Sequence, residues 1–365
     1  MTPDISLKET LMDKLKIALI FGGQSEEHDI SCRSAATIYQ HLDKEKYDVT
    51  LVGITKKGRW LLVESEDAFR SGSWEQGQTG AQLLPDATEK ALLLTHPDGR
   101  LEKKAVDMAF PVLHGRYGED GTIQGLFELA QIPYVGCGVA PSAIGMDKPY
   151  TKVLVQAAGV EQARYICLDK RDLRDPEASM DRLEAAFSYP IFVKPTDGGS
   201  SQGCTRATDR ASLKEALIVA ASYGTRVMAE ENITGRELEC AVLSTPEGPK
   251  ASGVGEILAA ASADFYDFDA KYSNPDSQTV VDPDLPEGKA EEIRRNALTI
   301  FKAVGAYGLS RVDFFLEEGT NRVIFNEINT FPGFTSISMY PQLWEAAGLP
   351  IPRLLDALIA EGLRR

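Results

Sequence analysis

The sequence has no apolar run near the ~20 residues that a membrane-spanning helix requires. The longest near its start, "IALIF", is strand-sized, and the charged stretch "LKETLMDKLK" before it lacks the character of a secretory signal. A cytoplasmic location without membrane contact is expected. Cysteine is scarce: Cys32, Cys137, Cys167, Cys204 and Cys240 stand singly, without a CxxC pair or metal-type spacing, and their odd number argues against a disulfide framework. Positive charge is short as well. The formal net charge of -15 disfavours nucleic acid and acidic membrane surfaces as partners, yet it allows an anionic ligand in a locally basic pocket. Small molecules fit this balance better. There is no internal repeat and no low-complexity segment.

What is present is a globular composition. Of 365 residues, 43% are apolar and 25% charged, enough for two or three domains. "LKIALIFGG" reads as a buried strand ending in a tight turn, and "SEEHDISCRSAATIYQHL" as a helix behind a Ser/Asp cap. "YDVTLVGIT" and "AVDMAFPVL" repeat the strand pattern, and "HGRYGEDGTIQGLFELA" follows as a Gly-rich loop opening another helix. Strands alternating with helices imply a doubly wound parallel sheet, which binds ligands at the carboxyl ends of its strands. Residues 64–105 are polar and turn-rich, a hairpin excursion around "HPDG" that reads as decoration. Near residue 137 the pattern changes to the strand "YPIFVKP", the loop "TDGGSSQG" and the helix "DRASLKEALIVAASYG". From "RVMAEENITGRELECAVLS" onward strands dominate, broken by the loop "DFYDFDAKYSNPDSQTV" and the helix "GKAEEIRRNALTIFKAVGA", and the chain closes with a hairpin and an amphipathic helix.

The final hairpin carries the chemistry. "LSRVDFFLEE" and "NRVIFNEIN" flank "GTN"; a turn centred on Thr320 sets Phe315 opposite Phe325, Asp313 opposite Glu327 and Arg311 opposite Asn329, all on one face. Opposed carboxylates ~5 Å apart repel unless a cation lies between them. Two acids and an amide oxygen suit Mg²⁺, with Arg311 beside it for developing negative charge, and the corner "TFPGFTS" adds a glycine N–H as an oxyanion donor. The alternative is a solvated face on which Arg311 neutralises two acids.

Three loops remain. "VKPTDGGSSQG" resembles a phosphate cradle, with Ser200 and Ser201 adding hydroxyls and Lys194 preceding the glycines, although a surface turn is the commoner fate of a Gly-Ser run. "FGGQSEEHDIS" is not GxGxxG; its acids Glu26, Glu27 and Asp29 would welcome an ammonium group or merely cap the helix, with Glu27 the candidate ligand. His114 follows a strand end on the same rim and is either structural or substrate-facing. The loop with Lys271 and Tyr272 has the composition of a lid or of a solvated excursion.

Together these segments resemble the D-alanine:D-alanine ligases of the ATP-grasp superfamily, from "IFGGQSEEHDIS" through "HGRYGEDGTIQG", "MDK", "YPIFVKPTDGGSSQG", "DFYDFDAKY" and "RVDFF" to "FNEINTFPGFTSISMYP". The resemblance implies an α/β ATP-grasp fold: a Rossmann-like domain over residues 1–136, with ATP-grasp subdomains over 137–229 and 230–365. It implies ATP and two Mg²⁺ (or Mn²⁺) ions held by Asp313, Glu327 and Asn329. Lys148, Lys194 and Lys271 would contact the phosphates, with Ser201 and Phe265 also at the nucleotide. Glu230 and the backbone around Ile233 would read adenine, and Glu237 the ribose. Glu27, with His114 nearby, would hold the first D-alanine's ammonium; Arg311 and the Gly333 N–H would hold its carboxylate and the later oxyanion; Ser338 and Met339 would receive the second carboxylate. Glu27, Ser200 and Tyr272 match a hydrogen-bonded set that ties the lid to the site. Tyr272 and Met339 stand where D-lactate or D-serine ligases carry other residues, which favours D-alanine as acceptor. Departures are mild: Asp197 and Gly198 lie where the family varies, and Asn232 where some members place an aromatic. A homodimer serving peptidoglycan precursor synthesis is implied. Another carboxylate-amine ligase and a catalytically silent nucleotide-binding scaffold are the competing readings.

Overall fold

The computed structural model describes residues 13–199, 202–258 and 278–365. Three sheets carry the architecture. The first has the order β6-β5-β4-β3-β2-β1-β7 and is built from β1 (Leu15–Gly22), β2 (Tyr47–Ile54), β3 (Trp60–Leu62), β4 (Gly80–Leu83), β5 (Ala91–Thr95), β6 (Leu101–Ala105) and β7 (Met108–Val112). Only β2-β1-β7 are parallel. The expected parallel sheet is present in those strands; residues 64–105 are not decoration, because they extend the same sheet by antiparallel strands that include the hairpin around "HPDG".

β1 is buried on both sides because helices cover both. Ile17, Leu19 and Phe21 face α1 (His28–His41) in a core that includes Ala35 and Ile38, while Ala18 and Ile20 sit with Ile123 and Phe127. Of the helices that follow, α2 spans Glu66–Ser71, α3 Thr122–Ala130, α4 Val139–Met146 and α5 Lys148–Ala157. α1 begins without the expected Ser/Asp cap: Glu27 holds the cap position, and its side chain makes no capping bond.

The second sheet is antiparallel, in the order β10-β9-β11-β8, from β8 (Tyr165–Leu168), β9 (Ile191–Pro195), β10 (Thr205–Ala207) and β11 (Val227–Glu231). With α6 (Pro176–Ala186) and α7 (Arg210–Tyr223) it encloses a core of its own around Met180, Leu183, Leu213 and Val227. An Asp209/Ser212 capping box starts α7.

The third sheet, order β14-β13-β12-β15-β16, comprises β12 (Gly235–Leu243), β13 (Lys250–Leu258), β14 (Gln278–Val281), β15 (Leu309–Glu317) and β16 (Val323–Asn329). α8 (Lys289–Ala303) covers one face through Ile293, Ala297, Ile300 and Phe301. The other face meets α9 (Met339–Ala346) and α10 (Ile351–Leu363), whose Leu343, Leu354 and Leu358 lie in the same core as Leu19 and Phe21 of β1. Among the described residues no helix is long and apolar enough to cross a membrane.

The β15-β16 hairpin carries Arg311, Asp313, Glu327 and Asn329. Arg311 opposes Asn329 and Asp313 opposes Glu327, as the turn geometry predicts, but Phe325 opposes Phe314 rather than Phe315. A register shift just past Asp313 is the cause: Asn326 is an extra residue on β16, so Phe325 turns into the core against α8. The Phe314 and Phe325 rings meet edge-on at 6.3 Å, on the face opposite the carboxylates.

Candidate active site

Between the first and third sheets lies a polar cleft whose lining includes Glu27, His114, Lys148, Arg311, Glu327, Asn329, Gly333, Ser338 and Met339. Of the three acids after β1, Glu26 and Asp29 are exposed and Asp29 pairs with Lys56 at 3.1 Å. Glu27 is 9% exposed and turns into the cleft. Its carboxylate lies so close to two glycines that a Cβ would come within 2.6 Å of Oε2 at Gly115 and 3.2 Å at Gly199. Gly115 also has φ +66°, a conformation that suits glycine.

His114 is buried and uses both ring nitrogens. Nδ1 lies 3.2 Å from the Phe331 carbonyl, which can only accept, so Nδ1 carries the proton and Nε2 accepts from Ser34 Oγ at 3.3 Å. Ser34 Oγ in turn accepts the Phe334 N–H at 3.1 Å. Burial lowers the imidazole pKa, which keeps this neutral arrangement. Glu119 completes the clamp: its carboxylate accepts the Gly115 N–H at 2.8 Å and the Phe331 N–H at 3.0 Å. The Pro-Gly corner is thus pinned on both sides of Gly333, whose own N–H has no partner among the described residues. Ser338 Oγ accepts the Thr335 N–H at 2.9 Å, and the Met339 side chain is buried against Gly255. At this point the cleft meets the N-terminus of α9, whose first N–H groups have no intrahelical acceptor.

Arg311 forks onto Asp313, with Nε to Oδ1 at 2.8 Å and Nη2 to Oδ2 at 2.7 Å, and reaches Glu239 Oε2 at 3.1 Å. Burial disfavours the guanidinium charge, but Asp313 and Glu239 more than offset this and hold its pKa well above the usual value. Asn329 Nδ2–H donates to Asp313 Oδ2 at 3.0 Å. That bond leaves the amide carbonyl of Asn329 to act with the carboxylate of Glu327. Among the described residues no group of three or more His, Cys, Asp or Glu is placed to hold a metal ion; this set is two carboxylates and an amide. All its donors are hard oxygens, and Asp313 keeps lone pairs beyond those used by Arg311, so the set fits Mg²⁺ or Mn²⁺.

A second recess adjoins the first and shares Lys148 and Glu327 with it. Its lining combines the apolar Phe192, Ile233 and Phe315 with the charged Lys194, Glu230 and Glu237, a slot of mixed character. Lys148 opens α5 behind the Asp147 cap, and its ammonium donates to the Gly198 carbonyl. Glu230 is 5% exposed and held by two ammonium groups, Lys194 at 2.7 Å and Lys152 at 2.8 Å. Ser200, Ser201, Phe265, Lys271 and Tyr272 lie outside the described residues.

Four residues at or beside these recesses escaped the sequence reading: Ser34, Glu119, Lys152 and Glu239. Glu239 follows Glu237 by two on a strand, so it shares its face. Lys152 follows Lys148 by one helical turn. Glu119 stands within the quoted "HGRYGEDG", and Ser34 lies two turns beyond Glu27.

Family models for the D-ala D-ala ligase N-terminus and C-terminus match residues 16–137 and 154–360. A D-alanine–D-alanine ligase of Acetivibrio thermocellus is 47% identical over 367 residues, covering 97% of each chain. This chain belongs to the D-alanine–D-alanine ligase family. Solved structures agree with that membership. The D-alanine–D-alanine ligase of Coxiella burnetii superposes with TM-score 0.84 at 37% identity, covering 97% of this chain and 95% of that one. A D-Ala:D-Ser ligase, VanG of Enterococcus faecalis, superposes with TM-score 0.85 at 35% identity over 96% and 99%. The ATP-grasp architecture expected for the family is therefore the observed one.

Proposed function

We propose that this chain joins two D-alanine molecules into D-alanyl-D-alanine at the expense of ATP, for peptidoglycan precursors, as a cytoplasmic homodimer. One observation carries the reading: a slot lined by Lys194 and Glu230 adjoins, at Lys148 and Glu327, a cleft that ends on Glu27, Arg311 and the pinned Gly333 corner. The slot fits a nucleotide and the cleft two amino acids. The proposed division is a Rossmann-like domain over 1–136 and ATP-grasp subdomains over 137–229 and 230–365.

In this reading Glu27 binds the first D-alanine's ammonium, while Arg311 and the Gly333 N–H hold its carboxylate. A carboxylate oxygen attacks the γ-phosphorus of ATP and the bond to the β-phosphate oxygen breaks, giving an acyl phosphate and ADP. Lys148 and Lys194 bind the phosphates, Glu230 and Ile233 face adenine, and Glu237 the ribose. Asp313, Glu327 and the Asn329 carbonyl would hold two Mg²⁺ or Mn²⁺ ions, which when bound offset the charge of phosphoryl transfer. The second D-alanine's neutral amine then attacks the acyl carbon. The oxyanion rests on Arg311 and Gly333 N–H, and phosphate leaves as the amide forms. The second carboxylate docks at Ser338 and the N-terminus of α9. No covalent enzyme intermediate is required.

The test is ADP release from ATP and Mg²⁺ with D-alanine, beside L-alanine and mixtures of D-alanine with D-serine or D-lactate, with the product identified by mass. Turnover with D-alanine alone, yielding the dipeptide, is expected. Turnover only with a mixed pair would reassign the acceptor, and silence with every pair would remove the ligase reading.

A further inference from the structure

Lys152 is 1% exposed, yet it carries an ammonium group and no lining of either recess includes it. It lies one helical turn beyond Lys148 on α5, behind the second recess, where Nζ meets Glu230 Oε1 at 2.8 Å and the Ala163 carbonyl at 3.3 Å, 5.2 Å from the centre of the Tyr165 ring. Glu230 Oε2 faces the other way, onto Lys194 Nζ at 2.7 Å. Lys194 lines the recess and also feels the charge of Glu327. A buried cation away from the ligand surface needs a reason, since desolvating it costs several kcal/mol even when paired.

The arithmetic of charge supplies one. A lone Lys194–Glu230 pair is neutral, and a carboxylate at 2.7 Å would cancel most of the field that Lys194 projects into the recess. With Lys152 on the far oxygen, the three groups sum to one positive charge, and Lys194 is the ammonium that lines the recess. We propose that Lys152 is a positioning residue: it neutralises and orients Glu230 from behind, so that the Lys194 charge stays available to the phosphates of a bound nucleotide. This inference rests on the nucleotide assignment of the recess made above.

The experiment compares ADP with adenosine, the same base without phosphate charge, by calorimetric titration of the full chain with Mg²⁺. The variants are Lys152→Met, Glu230→Gln and the double variant Lys152→Met/Glu230→Gln, whose three-group charges are zero, plus two and plus one. The expected ratio of ADP to adenosine affinity falls about tenfold in Lys152→Met, rises in Glu230→Gln and returns to the wild-type value in the double variant. Adenosine affinity itself tracks any loss of the adenine contact. Should Lys152→Met fail to fold, the drop from Glu230→Gln to the double variant decides. A ratio that stays flat across the series, even with lowered melting temperatures, makes Lys152 a packing cation and overturns the inference. Wild-type protein that binds ADP and turns over D-alanine with ATP keeps the functional reading standing in that event; wild-type protein that binds neither nucleotide overturns both.

Discussion

Arg311 shows how one side chain can serve two purposes. Its planar fork spans both oxygens of Asp313, and its Nε also reaches Glu239, so the guanidinium is fixed before any substrate arrives. Lysine keeps the charge but not the fork. In Arg311→Lys, kcat is expected to fall by roughly 10²–10³ with a smaller change in KM for ATP; steady-state kinetics beside a melting curve would show it, and near-normal turnover would remove Arg311 from the oxyanion role.

Two neighbouring residues set opposite pH limits. Burial, and then the charge of Glu27, push the Glu119 carboxyl up to about 8 from its ordinary 4.5, against the two N–H groups that it accepts. Between those values the folded chain keeps a proton that the unfolded chain has lost, so this contribution is whole below 4.5 and is lost as pH rises to about 8. His114 works in the other direction. Burial lowers its pKa below 6.5, so only the unfolded ring takes up a proton as the solution is acidified, and stability falls as pH drops through 6.5. Urea unfolding from pH 5 to 9 is expected to show little change up to 6.5, where the two effects oppose each other, and then a fall in stability as pH rises to about 8. Glu119→Gln should flatten the alkaline side; an unchanged slope in that variant would clear Glu119 of the effect.

At the scale of elements, glycines decide how closely loops approach one another. A Cβ on Gly115 would sit 2.6 Å from Glu27 Oε2, at a φ that alanine adopts with strain. Gly115→Ala is expected to move the Glu27 carboxylate and raise KM for the first D-alanine at least tenfold, with KM for ATP little changed; equal rises in both would point to general damage. The hairpin makes a related point about legibility. Turn position and alternation were enough to align Asp313 with Glu327 and Arg311 with Asn329, because that register follows from counting. Counting could not reveal the bulge at Asn326, which exists because Phe325 gains burial against α8, a contact distant in sequence. Glu119 and Ser34 went unnoticed for the same reason: each acts on the backbone of residues 331–334, some two to three hundred positions away. Lys152 has only its place one helical turn after Lys148 to mark it in the sequence; its burial is visible in the fold alone.

At the scale of the whole molecule, the cores are shared unevenly. The sheet of β8–β11 has its own core, whereas β1, the third sheet, α9 and α10 contribute to one. Asp356 of α10 adds bonds to Lys46 and Tyr47, each at 2.7 Å. Native-state hydrogen exchange is expected to show the residues of β9 and β11 opening as one unit, separate from β1 and β12, which should open only together. Identical protection in both groups would contradict two cores.

The joint core also orders events during synthesis. β1 is made more than three hundred residues before α10, yet Leu19 and Phe21 belong with Leu354 and Leu358. A nascent chain therefore carries an uncovered apolar surface until α10 leaves the ribosome, and a premature stop before residue 351 is expected to yield material for proteases and chaperones rather than a weakened enzyme.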